Sequence, residues 1–253
     1  MSSPIRIAAV SYANTFPFVY GIENSGIPGS YQLILLPPAQ CAVRFAAGEA
    51  DIALVPAGSL PELPEHKIIT DYCIAAVSEV KTVLLLSNKN NSEIKSIGLD
   101  LESATSVRLV KILARYYWNI NPEWQPINIA DYKDHSGIDA FVVIGDKAIG
   151  LSGQFKYKRD LASEWQKFMN LPFVFAVWIC RKDLPNAQIR YFSSVLKFGI
   201  DHIDDAVKKY QDAVGKHFDL DSYYRNNIDY LFDQVKKNSL QKFLNFVSDI
   251  DYC

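Results

Sequence analysis

The sequence predicts an α/β protein of two lobes with a cleft between them, and three observations carry that prediction. Short apolar strands alternate with helical stretches over the first two thirds of the 253 residues. Two segments share one plan, a strand running into a polar, hydroxyl-rich turn and then a helix. No flexible linker interrupts mid-chain, while strands near 81–86 and 173–180 allow one lobe to be inserted into the other. The expected division is residues 1–86 with 173–253 as the first lobe and 87–172 as the second.

The elements follow in order. Ile5–Val10 reads as a strand leading into Ser11-Tyr12-Ala13-Asn14-Thr15 and a helix start at Phe16-Pro17-Phe18. Tyr31–Leu36 is a strand stopped by Pro37-Pro38, and Ala39–Ala47 is a helix with Gly48 as terminator. Asp51–Val55 is a buried strand closed by Pro56-Ala57-Gly58-Ser59, and Leu60–His66 is loop or short helix. Cys73–Val77 and Lys81–Leu86 are strands separated at Ser78-Glu79.

The second unit opens with strand Ile97–Leu99, then Asp100, then the turn holding Ser103, Thr105 and Ser106, then helix Val107–Trp118. Ile127–Ala130 and Ala140–Ile144 are short strands, the latter turning through Gly145-Asp146-Lys147-Ala148 into a helix. Phe155–Asp160 is strand-like, and Ser163–Met169 is a helix with Trp165 turned inward. Leu171–Trp178 is a long apolar strand. Asn186–Val247 is helical and amphipathic, with breaks near Phe218–Asp221 and Asn238-Ser239.

Composition excludes several function classes. Hydrophobic content of 49% and charge of 21% suit an ordinary folded domain. A net charge of −2 without a Lys/Arg cluster gives no basis for binding nucleic acid or an anionic membrane. No apolar run approaches the ~20 residues of a membrane-spanning helix. With a strand beginning at Ile5, no secretory leader is expected, and the setting expected is the cytoplasm. Cys41, Cys73, Cys180 and Cys253 match neither a zinc spacing nor a CxxC, and read as reduced thiols.

The two turns carry the chemistry. A helix start leaves backbone N–H groups without partners and holds partial positive charge. Small hydroxyl residues there either cap the helix or share its donors with an anion. Ser103, Thr105 and Ser106 are thus the carboxylate-binding candidates. Asn14 either holds a substrate hydroxyl or carboxylate or forms an Asx turn or cap, and Ser11 and Thr15 flank it with the same two roles open. Thr82 either faces the cleft or packs. Asp100 either positions the Ser103 turn or caps it, and Asp146 either caps the next helix or faces the ligand. His66, His135, His202 and His217 all lie outside these segments, and no catalytic triad, P-loop, GxGxxG or metal cluster can be assembled.

Ser11-Tyr12-Ala13-Asn14-Thr15-Phe16-Pro17 resembles the Ser-Tyr-x-Asn-Thr-x-Pro opening of the chorismate dehydratases. These enzymes serve the futalosine route to menaquinone and have the fold of type II periplasmic binding proteins. Gly48-Glu49-Ala50-Asp51-Ile52-Ala53-Leu54-Val55-Pro56 is similar to the family's Gly-Glu-x-Asp-x-Ala-Leu-x-Pro. Val80-Lys81-Thr82-Val83-Leu84-Leu85-Leu86-Ser87 resembles its hinge strand, and Leu99-Asp100 with Ser103-Ala104-Thr105-Ser106 its Leu-Asp-x-x-Ser-Arg-Thr-Ser. Ile144-Gly145-Asp146-Lys147-Ala148, Asp160-Leu161, Glu164-Trp165 and Leu171–Trp178 follow in family order. Four positions depart from the pattern. Ala104 and Lys81 stand where arginines are expected, and Ser78-Glu79 replaces a Gly-Pro. A lysine is a point charge, not a planar fork.

The resemblance implies a lyase that dehydrates chorismate to 3-[(1-carboxyvinyl)oxy]benzoate without metal or cofactor. Asn14 would be the catalytic residue. Ser11, Thr15, Lys81, Thr82, Ser103, Thr105, Ser106 and Asp146 would bind the substrate. Donors on the ring carboxylate would stabilise an enolate-like intermediate, and the substrate's own enolpyruvyl carboxylate, held in reach, would serve as base. Two other readings stay open at this point, a 1,4-dihydroxy-6-naphthoate synthase of the same route and a non-catalytic binding protein for a small carboxylate.

Overall fold

Strand-forming apolar runs build two mixed sheets in the computed structural model, which describes residues 4–26, 31–100, 102–215 and 217–251. Leu101 and Cys253 lie outside the described residues. The chain divides into two compact units, Met1–Ala75 with Val174–Asp233 and Ala76–Phe173 with Gln234–Cys253. Two stretches lie elsewhere than the sequence suggests. Residues 76–86 and the final helix belong to the second unit, because the strand at 83–87 is central in that unit's sheet and the final helix packs against the unit's own core.

The first unit contains β1 (Ile5–Val10), α1 (Phe16–Asn24), β2 (Tyr31–Leu36), α2 (Pro38–Ala46), β3 (Ile52–Pro56) and β4 (His66–Ala76). In the second lie β5 (Val83–Ser87), β6 (Ser96–Asp100), α3 (Ala104–Leu113), β7 (Glu123–Ile127), β8 (Ala140–Ile144), α4 (Asp146–Leu151), β9 (Tyr157–Asp160) and α5 (Leu161–Met169). β10 (Phe173–Arg181) returns to the first unit, which adds α6 (Asn186–Asp201), α7 (Ile203–Val214), α8 (Leu220–Asn226) and β11 (Asp229–Leu231). The last helix, α9 (Gln234–Asp251), completes the second unit. None of the described helices is long and apolar enough to cross a membrane.

The first sheet has the order β11-β4-β10-β3-β1-β2. β1 pairs in parallel with β2 and β3, while β10 runs antiparallel to β3. Its core is aromatic. Phe18 of α1 meets Trp178 and Tyr230 edge-on at ring distances of 5.8 and 5.2 Å, and Trp178 meets Phe192 at 4.9 Å. α1 and α6 pack through Gly21 and Gly199, where an added methyl would overlap the Val195 and Pro17 carbonyl oxygens respectively. Gly199→Ala is therefore expected to destabilise the protein by about 1–3 kcal/mol, the usual cost of overpacking. Denaturant titration checks this, and an unchanged midpoint would contradict it.

The second sheet has the order β7-β6-β8-β5-β9, with β6 parallel to β7 and β8 and β5 antiparallel to β8 and β9. One cluster on this sheet gathers Leu84, Leu86, Phe141, Val143, Ile127, Ile129 and Ile138. Another surrounds Trp165 of α5, which is fully buried and meets Phe173 and Phe243 edge-on at 5.4 and 6.1 Å. Its indole N–H donates to Ser239 Oγ at 3.2 Å. That bond explains why the break expected at Asn238-Ser239 does not occur. The serine faces inward and α9 runs straight through.

Three further differences have local causes. The strand expected at Ile127–Ala130 lies earlier, at Glu123–Ile127, because β7 is an edge strand and carries polar residues and Pro126 without an apolar run. Residues 129–134 instead form 3-10 turns. The helix after Ser103 begins at Ala104, three residues earlier than expected, and a π-helical turn at Ala114–Trp118 carries it to a left-handed Asn119.

Candidate active site

In open α/β sheets, ligands bind beyond the carboxyl ends of the strands. Each unit places expected residues at such an end.

In the first unit, β1 ends at Val10, and the Ser11 N–H donates to Leu36 O at 2.9 Å at the end of neighbouring β2. A single 3-10 turn, Ala13–Thr15, then leads into α1, whose first turn takes Pro17 without loss of a bond. No side chain caps either helix. Asn14 is thus not a cap. Its Oδ1 accepts the Thr15 hydroxyl at 3.1 Å, and its Nδ2 donors meet no acceptor among the described residues. Thr15, expected to flank Asn14 in binding the substrate, is fully buried, and its hydroxyl is spent on Asn14. That bond orients Asn14.

Two tyrosines from the far end of the chain clamp this turn. Tyr224 of α8 donates its hydroxyl to Ala13 O at 3.0 Å, and Tyr230 of β11 to Asn14 O at 3.0 Å. Burial pushes the Tyr230 phenol well above its usual range, which keeps it a neutral donor. Sequence reading missed both, since their partners lie 211 and 216 residues away and the tail shows only an amphipathic pattern.

In the second unit, the carboxyl ends of parallel β6 and β8 share one sheet edge with the start of antiparallel β5, where Val83 faces Ile144. This edge gathers Lys81, Thr82, Asp100, Ser103, Thr105, Ser106 and Asp146. Ser103 caps α3, its Oγ accepting the Ser106 N–H at 3.1 Å. Ser103, Thr105 and Ser106 are all nearly fully buried. Asp100 also adopts an Asx turn, Oδ1 accepting the Glu102 N–H at 3.0 Å, and its carbonyl accepts the Ser103 N–H at 3.1 Å. It positions the Ser103 turn. Burial pushes its carboxyl above the usual range.

Asp146 does not cap α4. The cap position is Gly145 at φ +62°, and Asp146 is the first helical residue. Thr82 is buried, with its hydroxyl 3.5 Å from Val80 O and its carbonyl accepting the Gly145 N–H at 2.8 Å, so its backbone shapes the edge. Lys81 has an exposed side chain and a left-handed backbone, φ +65°. Asp160, which sequence reading left outside the site, holds that conformation. Its Oδ2 accepts the Val80 and Lys81 N–H groups at 3.0 and 2.7 Å, while Oδ1 caps α5 by accepting Ala162 and Ser163 at 3.0 and 3.1 Å.

What the arrangement offers is hydrogen-bond donors and positive helix ends, with no imidazole on either turn. His66 opens β4, His202 follows α6 with Nδ1 on Phe198 O, and His135 and His217 lie in turns elsewhere. No group of three His, Cys, Asp or Glu side chains among the described residues is arranged to hold a metal ion.

Comparison with known proteins adds to this geometry. A family model described as menaquinone biosynthesis matches residues 5–249. A protein of Thermus thermophilus named chorismate dehydratase is 24% identical over 260 residues, covering 95% of this chain and 94% of the relative. Among solved structures, a protein of Archaeoglobus fulgidus superposes with a TM-score of 0.77 at 15% identity, covering 99% of this chain and 98% of the other. A Candida albicans gene product described as having the generic periplasmic binding protein fold gives a TM-score of 0.69 at 10% identity, covering 98% and 91%. The fold is of that type.

Proposed function

Because the chain belongs to the menaquinone biosynthesis family, we propose that it removes water from chorismate to give 3-[(1-carboxyvinyl)oxy]benzoate on the futalosine route. The observation that carries the reading is Asn14, whose amide is held by Thr15 and fixed through its backbone by Tyr230, with its Nδ2 donors unspent. A preorganised donor of this kind stabilises charge that develops during reaction.

The chemistry needs little else from the protein. Removal of the ring proton next to the enol ether pushes electrons toward the ring carboxylate, which becomes enolate-like. Collapse of that intermediate expels the ring hydroxyl, which leaves as water with the abstracted proton, and the ring becomes aromatic. The substrate's enolpyruvyl carboxylate serves as base. In the first unit Asn14 offers its amide to a hydroxyl or carboxylate, and in the second the turn at Ser103–Ser106 offers its hydroxyls and the start of α3 to a carboxylate. Ser11 adjoins the Asn14 turn in the first unit, and Lys81 and Asp146 stand at the same sheet end as the Ser103 turn in the second. Cys41, Cys73 and Cys180 are buried thiols, which supports a cytoplasmic setting, where thiols stay reduced.

Incubation of the purified protein with chorismate, followed by mass analysis, tests the reading. The expected product is chorismate less one water with an aromatic absorbance, formed at an unchanged rate in excess EDTA. Chorismate recovered intact would overturn it, and tight binding without turnover would point to a carboxylate-binding protein instead. Activity lost to EDTA and restored by a divalent ion would overturn the metal-independent mechanism.

A further inference from the structure

Three charged side chains meet at the carboxyl edge of the second unit's sheet, and the donors described above do not account for them. Asp100 is only 1% exposed, and its Oδ2 makes no hydrogen bond. Lys147, the second residue of α4, places Nζ 2.7 Å from Glu102 Oε2 and 4.0 Å from Asp100 Oδ2. An ammonium group has three N–H donors. Glu102 takes one, and the others meet no acceptor among the described residues. The Lys147 side chain is 33% exposed, so solvent or a ligand reaches it.

A buried carboxylate oxygen without a donor is costly, and a lone structural ion pair does not require one. The arrangement makes sense if the ammonium has a second duty. Asp100 links it to the neighbouring turn, since the same residue accepts the Ser103 N–H that begins α3. That first turn carries no charged side chain, its first residue being Ala104. A helix end supplies only about half a unit charge, so a carboxylate arriving there lacks a full counter-charge. Lys147 is a full cation on the same sheet edge.

We propose that Lys147 is a substrate-binding cation of the second unit, which turns from Glu102 toward a carboxylate of the substrate at the start of α3 while Asp100 sets its position. The proposal rests on the carboxylate-substrate reading above. Glu102 is then a competing anion that the ligand displaces, and Asp100 is a positioning residue.

Steady-state kinetics and calorimetric binding of chorismate test this on the full chain. Lys147→Met is expected to raise KM about tenfold to a hundredfold, the range for one charged hydrogen bond, with kcat changed less than about threefold. Lys147→Arg should recover most of the affinity. Glu102→Gln should lower KM, and the rise of KM with ionic strength expected for the wild type should be weaker in Lys147→Met. If Lys147→Met does not fold, Lys147→Gln carries the same test. An active wild type beside a folded Lys147→Met with unchanged KM and salt dependence overturns this proposal alone. A wild type that neither binds nor converts chorismate overturns the function reading and this assignment with it.

Discussion

Replacing Asn14 by alanine is expected to lower kcat/KM for chorismate by about 10²–10³-fold, the range for losing one preorganised donor. The variant should stay folded, because the Asn14 side chain makes a single hydrogen bond among the described residues and its loss costs about 1 kcal/mol. Thr15→Val removes the hydroxyl that orients the amide but leaves the Asn14 donors in place, so its effect should be smaller, about tenfold. Substitution of any histidine by glutamine should change kcat/KM by less than about tenfold, since none is assigned a proton transfer worth ~10²–10⁴. Circular dichroism establishes folding of each variant before rates are compared. A folded but inactive histidine variant beside a near-normal Asn14→Ala would mean that a protein base, not the substrate, removes the proton.

What the sequence reveals of this fold depends on whether an element's neighbours leave a mark on its own residues. β1, β3 and β8 are interior strands, and their apolar runs, broken only by Arg6 in β1, are plain to read. β7 is an edge strand whose polar residues hide it, so the apolar Ile127 pulls the reading toward the segment that follows. Ser239 shows the reverse error. A polar pair suggests a break, yet the hydroxyl is the partner of a buried indole and the helix continues. The placement of α9 with the second unit turns on its packing against α3, which no local pattern encodes.

The candidate site divides in the same way. Its turns are legible because hydroxyl and amide residues cluster between a strand and a helix. Which of those groups meets a ligand is not legible, because that depends on orientation. Thr15 and Thr82 are buried, whereas Asn14 keeps its donors. Tyr224 and Tyr230 reach the Asn14 turn of the first unit, and Asp160 and Lys147 the sheet end of the second, through long-range bonds that nothing near them in sequence announces.

Asp160 carries the largest expected effect on stability. Its carboxylate accepts four backbone N–H groups, two that fix the left-handed turn at Lys81 and two that start α5. Asp160→Ala leaves all four without their acceptor. A lost cap costs about 1 kcal/mol and each buried unsatisfied donor about 1–3 kcal/mol, so the expected loss is roughly 3–5 kcal/mol. Chemical denaturation measures it, and a loss below about 1 kcal/mol would refute the role. The same carboxyl has a pH signature. Burial, with Glu79 nearby adding to it, pushes Asp160 up to about 6 despite the four donors. A folded-state value above the unfolded one makes a contribution that is fully present below about pH 4 and is lost as pH rises through about 6. The shift corresponds to roughly 2–3 kcal/mol of stability surrendered over that window. Asp160→Asn, which cannot ionise, should remove this slope from the pH dependence of unfolding while keeping one cap acceptor. A slope that persists in Asp160→Asn would place the titration on another group and leave Asp160 as a plain cap. If the slope disappears, Asp160 links the pH dependence of folding to the Lys81-Thr82 turn, because the proton it gains sits on the carboxyl that holds that turn against Gly145 and the start of α4.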